Sequence, residues 1–564
     1  MILFDPNNHT RPYPDERSKE VMLKTIEFFE TKGKQRVKRD DHERTWYRDF
    51  LDFVGEENIF ATMSTPAGYG AADSRWDTWR ICEFAEILGF YGLQYWYTWQ
   101  VSVLGLGPIW MSENEEQKQR AAELLQAGEI FAFGLSEKAH GADVYSTGMF
   151  LTPDGDGKFR ANGEKYYIGN ANEARMVSVF GKDEAADEYV FFVADSQHEC
   201  FDVVKNCVNS QNYVANFALR DYPIAESDVL HRGDAAWNAA LNTVNIGKYN
   251  LGWASIGICT HALYEAITHA ANRELYGMKV TDFPHVRQMF VDAYSRLTAM
   301  KLVALRAADY MRSASAEDRR YLLFNPVVKM KVTTQGEDVI NSMWDAIAAK
   351  GFEADTYFEA AARDIRALPK LEGTVHVNIA LIVKFMPNFF FGHAEYPRIE
   401  QRSDPANDDF LFDQGTTHGL SKIKFDDYSA IFDDFDLPNV VLFKEQIEVF
   451  KQLLLTAPPD EAQRKDIDFL MAAGEIFTCV VYAQLALENA RIYGTDDAMV
   501  DQIFDFMIRD VSRHALTLYG KPSSTEVQMD ACMRMIRKPN VDPDRFNKVW
   551  EEVHALDGRY EMKP

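Results

Sequence analysis

Apolar residues recur at helical spacing from about residue 18 to residue 128, broken by a polar and aromatic connection over 62–72, which predicts an amino-terminal domain of several helices. Within it, residues 87–111 carry no charge at all. That length would suit a membrane span, but Gln94, Thr98, Gln100 and Ser102 interrupt it, Gly105, Gly107 and Pro108 crowd its end, and no Lys/Arg cluster flanks it. The pattern therefore predicts a helix buried on all sides, followed by a bend, and no transmembrane segment. From residue 129 to about 230 the period shortens to that of strands, in IFAFGLSE, YSTGMFLTPD, KFRANGEKYYIGNA, RMVSVFGK, EYVFFVADS, CFDVVKNCV and YVANFALRDYPI, with Asp-Gly and Asn-Gly turn signals. This predicts a compact antiparallel domain of seven or so strands. Helical periodicity returns over 235–385, with long segments at 244–273, 284–313 and 326–350. A polar, Asp-rich connection over 397–436 reads as surface loop, and helical segments then resume to residue 563. The expected fold is α+β and mainly α. It has a helical domain (1–128), a central antiparallel β domain (129–233), a helical bundle (234–390) and an extra C-terminal helical domain (391–564).

At 564 residues, 46% of them hydrophobic, the chain can bury the cores of three or four ordinary domains without staples. Its six cysteines, Cys82, Cys200, Cys207, Cys259, Cys479 and Cys532, form no C-x-x-C pair, which points to reduced thiols in a cytoplasmic setting and to no bound metal. A net charge of −26 argues against nucleic acid as a partner, because phosphate contacts need a basic footprint. It leaves room for an anionic cofactor in a locally basic pocket. The opening MILFDPNNHTRPYPDERSKE lacks the basic stretch and apolar core of an export signal and carries acids that a transit peptide avoids.

Four stretches carry candidate chemistry. GLSEKAHGADVYS, 134–146, leaves a short apolar strand and turns through Gly141. Its Ser136, Ser146, Glu137 and Asp143, on backbone free to bend, suit something flat or anionic, although an ordinary polar turn has the same composition. KLEGTVHVN, 370–378, sets Glu372 before a glycine, as solvated helix ends also do. ANRELYGMKV carries Arg273, Tyr276 and Gly277, and its arginine alone fits a helix-terminal residue satisfying carbonyls. NIGKYNLG carries Asn245 and Lys248, which alone read as helix-start residues.

Taken in order, Glu137, Asp143, Gly163, Arg273, Gly351, Arg363 and Glu372 resemble the landmarks of the acyl-CoA dehydrogenase superfamily over roughly residues 20–385. The layout of helices, sheet and helix bundle is that family's, and a further C-terminal helical domain occurs in its longer members. The resemblance implies FAD-dependent dehydrogenation of an acyl-CoA thioester to the trans-2-enoyl-CoA. No side chain accepts a hydride, so a flavin must supply the redox step. Glu372 is implied as the base, strengthened by desolvation, with its backbone N–H on the thioester oxygen and Gly373 leaving space for the thioester. Phe133, Leu135 and Ser136 match the flavin-edge strand, and Thr374 and His376 are implied to lie along the flavin. GEKYYIGN, 163–170, aligns with the family's Gly-x-Lys-x-Trp-Ile-Thr-Asn, so Tyr167, Ile168 and Gly169 fall on the cofactor, with Tyr167 in place of Trp and Gly169 in place of Thr. Ala142 stands where the family has a hydroxyl shared by cofactor and substrate, and Asn245, Lys248 and Gly373 align near the substrate. Arg273 and Tyr276 match the Arg-x-x-(Phe/Tyr)-Gly whose arginine meets the FAD pyrophosphate of a neighbouring subunit, which implies a homodimer. Asp345, Ala348 and Ala349 replace a Gln and a Gly-Gly pair, and Pro284 replaces another Gln. The implied electron acceptor is an electron-transferring flavoprotein. The alternatives are an acyl-CoA oxidase, an acyl-carrier-protein thioester dehydrogenase, and a non-catalytic member acting as a binding protein.

Overall fold

A computed structural model describes residues 2–8 and 12–564. Residues 1 and 9–11 of the opening segment, read above for a leader, lie outside the described residues. The chain gathers into two compact units. One comprises Met1–Asn8, Leu251–Arg402 and Gly419–Glu561, and the other His9–Asn250, Ser403–His418 and Met562–Pro564.

In the second unit the charge-free stretch forms the end of helix Thr78–Tyr91 and the whole of helix Leu93–Trp110, parted at Gly92. Every residue of Leu93–Trp110 is buried, in keeping with its charge-free, mostly apolar character. The polar residues that interrupt this run fasten it to its neighbours. Ser102 Oγ accepts from the Phe131 N–H at 3.3 Å, and Gln100 Nε2 donates to the Gly247 carbonyl at 3.0 Å.

The sheet has eight strands: β1 (Phe131–Gly134), β2 (Phe150–Pro153), β3 (Lys158–Gly169), β4 (Met176–Asp183), β5 (Glu188–Ala194), β6 (Phe201–Asn206), β7 (Val214–Ala225) and β8 (Val229–Arg232). Their order is β6-β7-β3-β2-β4-β5-β8, with β1 also on β4. Most neighbours are antiparallel, as expected, but the sheet is mixed: β1 and β2 both run parallel to β4. The reason is topological. β1 pairs with 176–179 and β2 with 182–183, so the two are one interrupted strand, and residues 135–149 are an excursion from its line. The eighth strand, β8, pairs with β5 and is too short to stand out beside its turn.

The other unit is helical. The segment expected as one helix over 244–273 is two: Gly233–Gly247, which belongs to the sheet-bearing unit, and Asn250–Asn272, which belongs from Leu251 onward to the helical unit. At the break the Gly247 carbonyl is taken by Gln100, and the Asn250 amide reaches back to Gln100 Oε1 at 3.2 Å. Pro284–Arg312 forms as expected. The segment expected over 326–350 starts earlier, at Tyr321, and carries a π-helical turn, Val328–Val332, between Tyr321–Val327 and Thr333–Ile347. The C-terminal extension contributes Pro438–Thr456, Ile467–Tyr493, Asp497–Tyr519, Glu526–Met535 and Pro543–His554. Among the described residues one helix, Ile467–Tyr493, is long and apolar enough to cross a membrane, and 83% of its apolar window is buried inside the protein.

Candidate functional site

In the sheet-bearing unit, the excursion 135–149 is held by Glu137. Its carboxylate accepts from Lys165 Nζ at 2.7 Å, Thr147 Oγ1 at 2.7 Å and the Gly148 N–H at 2.8 Å. Lys165 is fully buried. Burial, outweighing the attraction of Glu137, pushes its pKa down to about 8. Burial pushes Glu137 the other way, but the charge of Lys165 and the hydrogen bonds from Lys165, Thr147 and Gly148 win and hold its carboxyl below the ordinary range. This acid therefore shapes the loop from within. Ser136 joins β1 to β3: its hydroxyl donates to the Tyr166 carbonyl at 2.7 Å, and the Tyr166 N–H donates to the Ser136 carbonyl at 2.9 Å. Ser146 turns back to Asp143 at 2.7 Å, and Ala142 is exposed at the loop.

These bonds bring Phe133, Leu135 and Ser136 beside the end of β3. There the pairing with β7 shifts register between Lys165 and Ile168, and Tyr167 adopts φ +63°. A bulge of this kind re-aims a side chain, and Tyr167 is 63% exposed, a flat aromatic surface. Ile168 and Gly169 are buried. Asn170, also at positive φ, locks the strand end. Its Nδ2 donates to the Thr98 carbonyl (3.0 Å), the Phe131 carbonyl (3.1 Å) and Ser102 Oγ (3.2 Å), and its Oδ1 accepts from Thr98 Oγ1 (3.0 Å). Sequence reasoning passed over this residue, although a buried Asn facing polar positions on an otherwise apolar helix was a signal. Asn245 is half-buried and Lys248 is buried.

In the helical unit, Glu372 is half-buried on a turn, with φ +49° at Glu372 and +87° at Gly373. Thr374 then caps helix Val375–Ile382 by accepting from the Val377 N–H. Lys329 Nζ donates to the Pro369 carbonyl at 2.9 Å and to the Gly373 carbonyl. Asn378 Nδ2 donates to the Gly373 and Thr374 carbonyls, each at 3.0 Å. Glu372, Gly373, Thr374 and His376 thus form one ordered turn and helix start, with Thr374 and His376 exposed. Lys329 was invisible in the sequence, where VVKMKV reads as part of a helix.

A second group in this unit surrounds Arg273. The hairpin of Glu274–Leu275 and Met278–Lys279 turns at Tyr276 and Gly277 with φ +54° and +77°, the tight two-residue geometry. It leaves Tyr276 95% exposed and Arg273 exposed beside it. Burial first, then the charges of Lys350 and Arg273, push the His269 imidazole below its ordinary value, with Glu353 opposing them. Asp345 and Ala349 are both exposed.

Residues 235–386 match the family model described as the acyl-CoA dehydrogenase C-terminal domain. The chain is 23% identical over 340 residues to a 3-(aryl)acrylate reductase of Clostridium sporogenes, a match covering 58% of this chain and 87% of that protein. It is 23% identical over 352 residues to the caffeyl-CoA reductase-Etf complex subunit CarC of Acetobacterium woodii, covering 59% and 88%. Among solved structures, the acyl-CoA dehydrogenase from Bacillus anthracis complexed with FAD superposes with a TM-score of 0.76 at 16% identity. That match covers 99% of this chain and 97% of that one, so the likeness of fold includes the C-terminal extension.

Proposed function

Because the chain belongs to the acyl-CoA dehydrogenase superfamily, we propose that it is an FAD-dependent enzyme that desaturates an acyl-CoA thioester between its α and β carbons. Glu372 is the base in this reading, and an electron-transferring flavoprotein takes the electrons. The observation that carries it is the Glu372 turn, a half-buried carboxylate held in left-handed backbone by a fully buried lysine and an asparagine. A non-glycine residue keeps such a conformation where its surroundings over-determine it, and such places cluster at active sites.

The residues present fit FAD. Tyr167 offers an exposed aromatic face at a bulge, the β1 end and Ser136 lie beside it, and the exposed Arg273 of a second copy of the chain would supply the cation a pyrophosphate needs. Bound FAD supplies the acceptor for the β hydride. Glu372 takes the α proton, so the thioester loses one proton and one hydride and becomes the trans-2-enoyl thioester. The Glu372 N–H polarises the thioester oxygen as negative charge develops there. An exposed Arg273 and a nearly bare Tyr276 suit contact with a second copy of the chain, and the reading includes a homodimer. The names of the two reductases support acyl groups with an aromatic ring and an electron-transferring flavoprotein as partner.

The test is anaerobic mixing of FAD-loaded protein with straight-chain, branched and aryl-propanoyl thioesters while the flavin absorbance is followed. Parent protein is expected to bleach with its best thioester. Glu372→Gln should bind that thioester yet slow bleaching about a hundredfold to ten-thousandfold, the usual worth of a positioned base. A Gln variant as fast as the parent assigns the base elsewhere. Colourless protein that takes up no FAD favours a binding protein, and rapid reoxidation by oxygen favours an oxidase.

A further inference from the structure

The helix that runs from Tyr321 to Ile347 is broken in register by the π-helical turn Val328–Val332. A π turn inserts one residue into the helical path and re-aims the side chains beside it, and such turns are frequent at functional sites. Here it carries two buried lysines, Lys329 and Lys331. Lys331 Nζ lies 3.8 Å from Asp510 of the C-terminal extension, and Lys329 is aimed at the turn that carries Glu372.

We propose that Lys329 is a positioning residue for Glu372, its ammonium group clamping the two ends of the five-residue segment Pro369 to Gly373. The contacts are with backbone carbonyls at both ends of that segment, Pro369 O at 2.9 Å and Gly373 O. Hydrogen bonds from a charged donor are stronger than neutral ones and stronger still away from water, and Lys329 is fully buried. Between the clamped carbonyls Glu372 sits at φ +49°, a backbone state that an L-residue leaves when nothing holds it.

The π turn that delivers the ammonium group has a rigid backing. A β-carbon on Gly252 would come within 2.6 Å of Val328 Cγ1, so the helix Asn250–Asn272 is in close contact with the turn at that point. The Lys329 carbonyl is taken up by the Thr333 hydroxyl at 2.6 Å. Lys329 is thus held at its own backbone while its side chain holds the Glu372 turn. Displacing a catalytic group by about 1 Å can cost on the order of a hundredfold in rate, so loosening this clamp should act on the proton-transfer step more than on ligand binding.

The inference rests on the reading of Glu372 as base, and two readouts separate the fates of the two ideas. The first is hydrogen exchange at the amides of residues 371–377 in full-length, FAD-loaded protein, parent against Lys329→Met and Lys329→Arg, which requires no turnover. The clamp predicts faster exchange there in Lys329→Met, by about tenfold or more, and exchange near the parent's in Lys329→Arg. Unchanged exchange in Lys329→Met overturns the clamp whatever Glu372 does. The second is the anaerobic reduction rate with the best thioester, with and without Glu372→Gln. Lys329→Met is expected to slow reduction by about tenfold to a hundredfold with thioester affinity within about threefold of the parent, Lys329→Arg should recover part of the rate, and Lys329→Met should add little once Glu372 is already Gln. Equal slowing in both backgrounds overturns the positioning role. If both 329 variants unfold, the lysine supports the whole domain and the assignment falls. If no thioester reduces the parent, the functional reading fails, while the exchange data still decide the clamp.

Discussion

The phenol of Tyr97 occupies the space that a side chain at position 169 would need: a β-carbon built on Gly169 would lie 2.8 Å from both Tyr97 Cε1 and the Tyr97 hydroxyl, and 2.7 Å from Val101 Cγ1. Both obstacles stand on the fully buried helix Leu93–Trp110, so neither side chain has open space to retreat into. The glycine where the superfamily carries threonine is therefore matched by a tyrosine across from it. Overpacking of this kind typically costs about 1–3 kcal/mol. Gly169→Ala should lower stability within that range and Gly169→Thr should lower it further, read as a shift in the urea unfolding midpoint at unchanged slope. A Gly169→Thr protein as stable as the parent would mean that Tyr97 moves aside freely.

Much of the architecture could be read along the chain because period changes are local. The alternating positions of β3 and β7 and the turn signals between strands announced the sheet, and the charge-free run announced a buried helix. What could not be read depends on partners far away in sequence. Whether β1 and β2 run parallel or antiparallel to β4 depends on where the chain rejoins the sheet after 135–149, and no residue type records that. The Glu-Gly-Thr of 372–374 pointed to a candidate base, but the hydrogen bonds from Lys329 to Pro369 and Gly373 span 40 and 44 residues, and lysines within VVKMKV look like any others. The structural role of Glu137 was not legible for the same reason: its partner Lys165 lies on another strand, and the pair serves the loop's shape.

Arg273 is exposed in its own chain, so its removal should leave stability within about 0.5 kcal/mol of the parent, as for most surface changes. Its loss should instead weaken FAD retention. A charge-assisted contact is worth about 1.5–3 kcal/mol, which corresponds to roughly a tenfold to hundredfold rise in the dissociation constant. Fluorescence titration of the apoprotein with FAD measures this, and sedimentation of the same samples tests the homodimer. An Arg273→Ala protein with unaltered FAD affinity would reduce this arginine to a helix-end residue.

Asp510 pins the C-terminal extension to the bundle. Its two oxygens accept from Arg296 Nη1 and Nη2 at 2.9 and 3.1 Å, and Oδ2 also accepts from Gln335 Nε2 at 2.9 Å. Burial raises the pKa of Asp510, but Arg296 and Lys331 outweigh it and hold the carboxyl far below the ordinary range. Removing one member of a buried pair typically costs about 3–5 kcal/mol, because the opposite charge is stranded. Asp510→Asn should fall near the lower end, since Asp292 remains 2.9 Å from Arg296. Limited proteolysis and thermal unfolding should show the extension loosening at a lower temperature than in the parent. A single unfolding transition at the parent's temperature would leave the pair without structural weight.

The Glu137–Lys165 pair makes stability depend on pH in two separate windows. Glu137 has a folded pKa below its unfolded value, so its contribution is fully present above about pH 4.5 and is lost as pH falls through the lower folded value. Glu137→Gln should therefore be less stable than the parent at neutral pH, by about 3–5 kcal/mol because Lys165 is left buried without its carboxylate, and the gap should narrow as pH drops below about 4.5. Lys165 behaves in the opposite sense to a lysine whose pKa is raised by a partner. Its folded pKa of about 8 lies below the unfolded value of about 10.4, so between those values the unfolded chain holds the extra proton and the parent gains stability from this group as pH rises. Lys165→Met lacks that titration, so the parent should gain on it between about pH 8 and pH 10. Urea midpoints for the three proteins across pH 3–10 read both windows. A Glu137→Gln deficit that stays constant down to pH 3 would mean that the carboxylate's charge contributes nothing and that Glu137 serves through its hydrogen bonds to Thr147 and Gly148 alone.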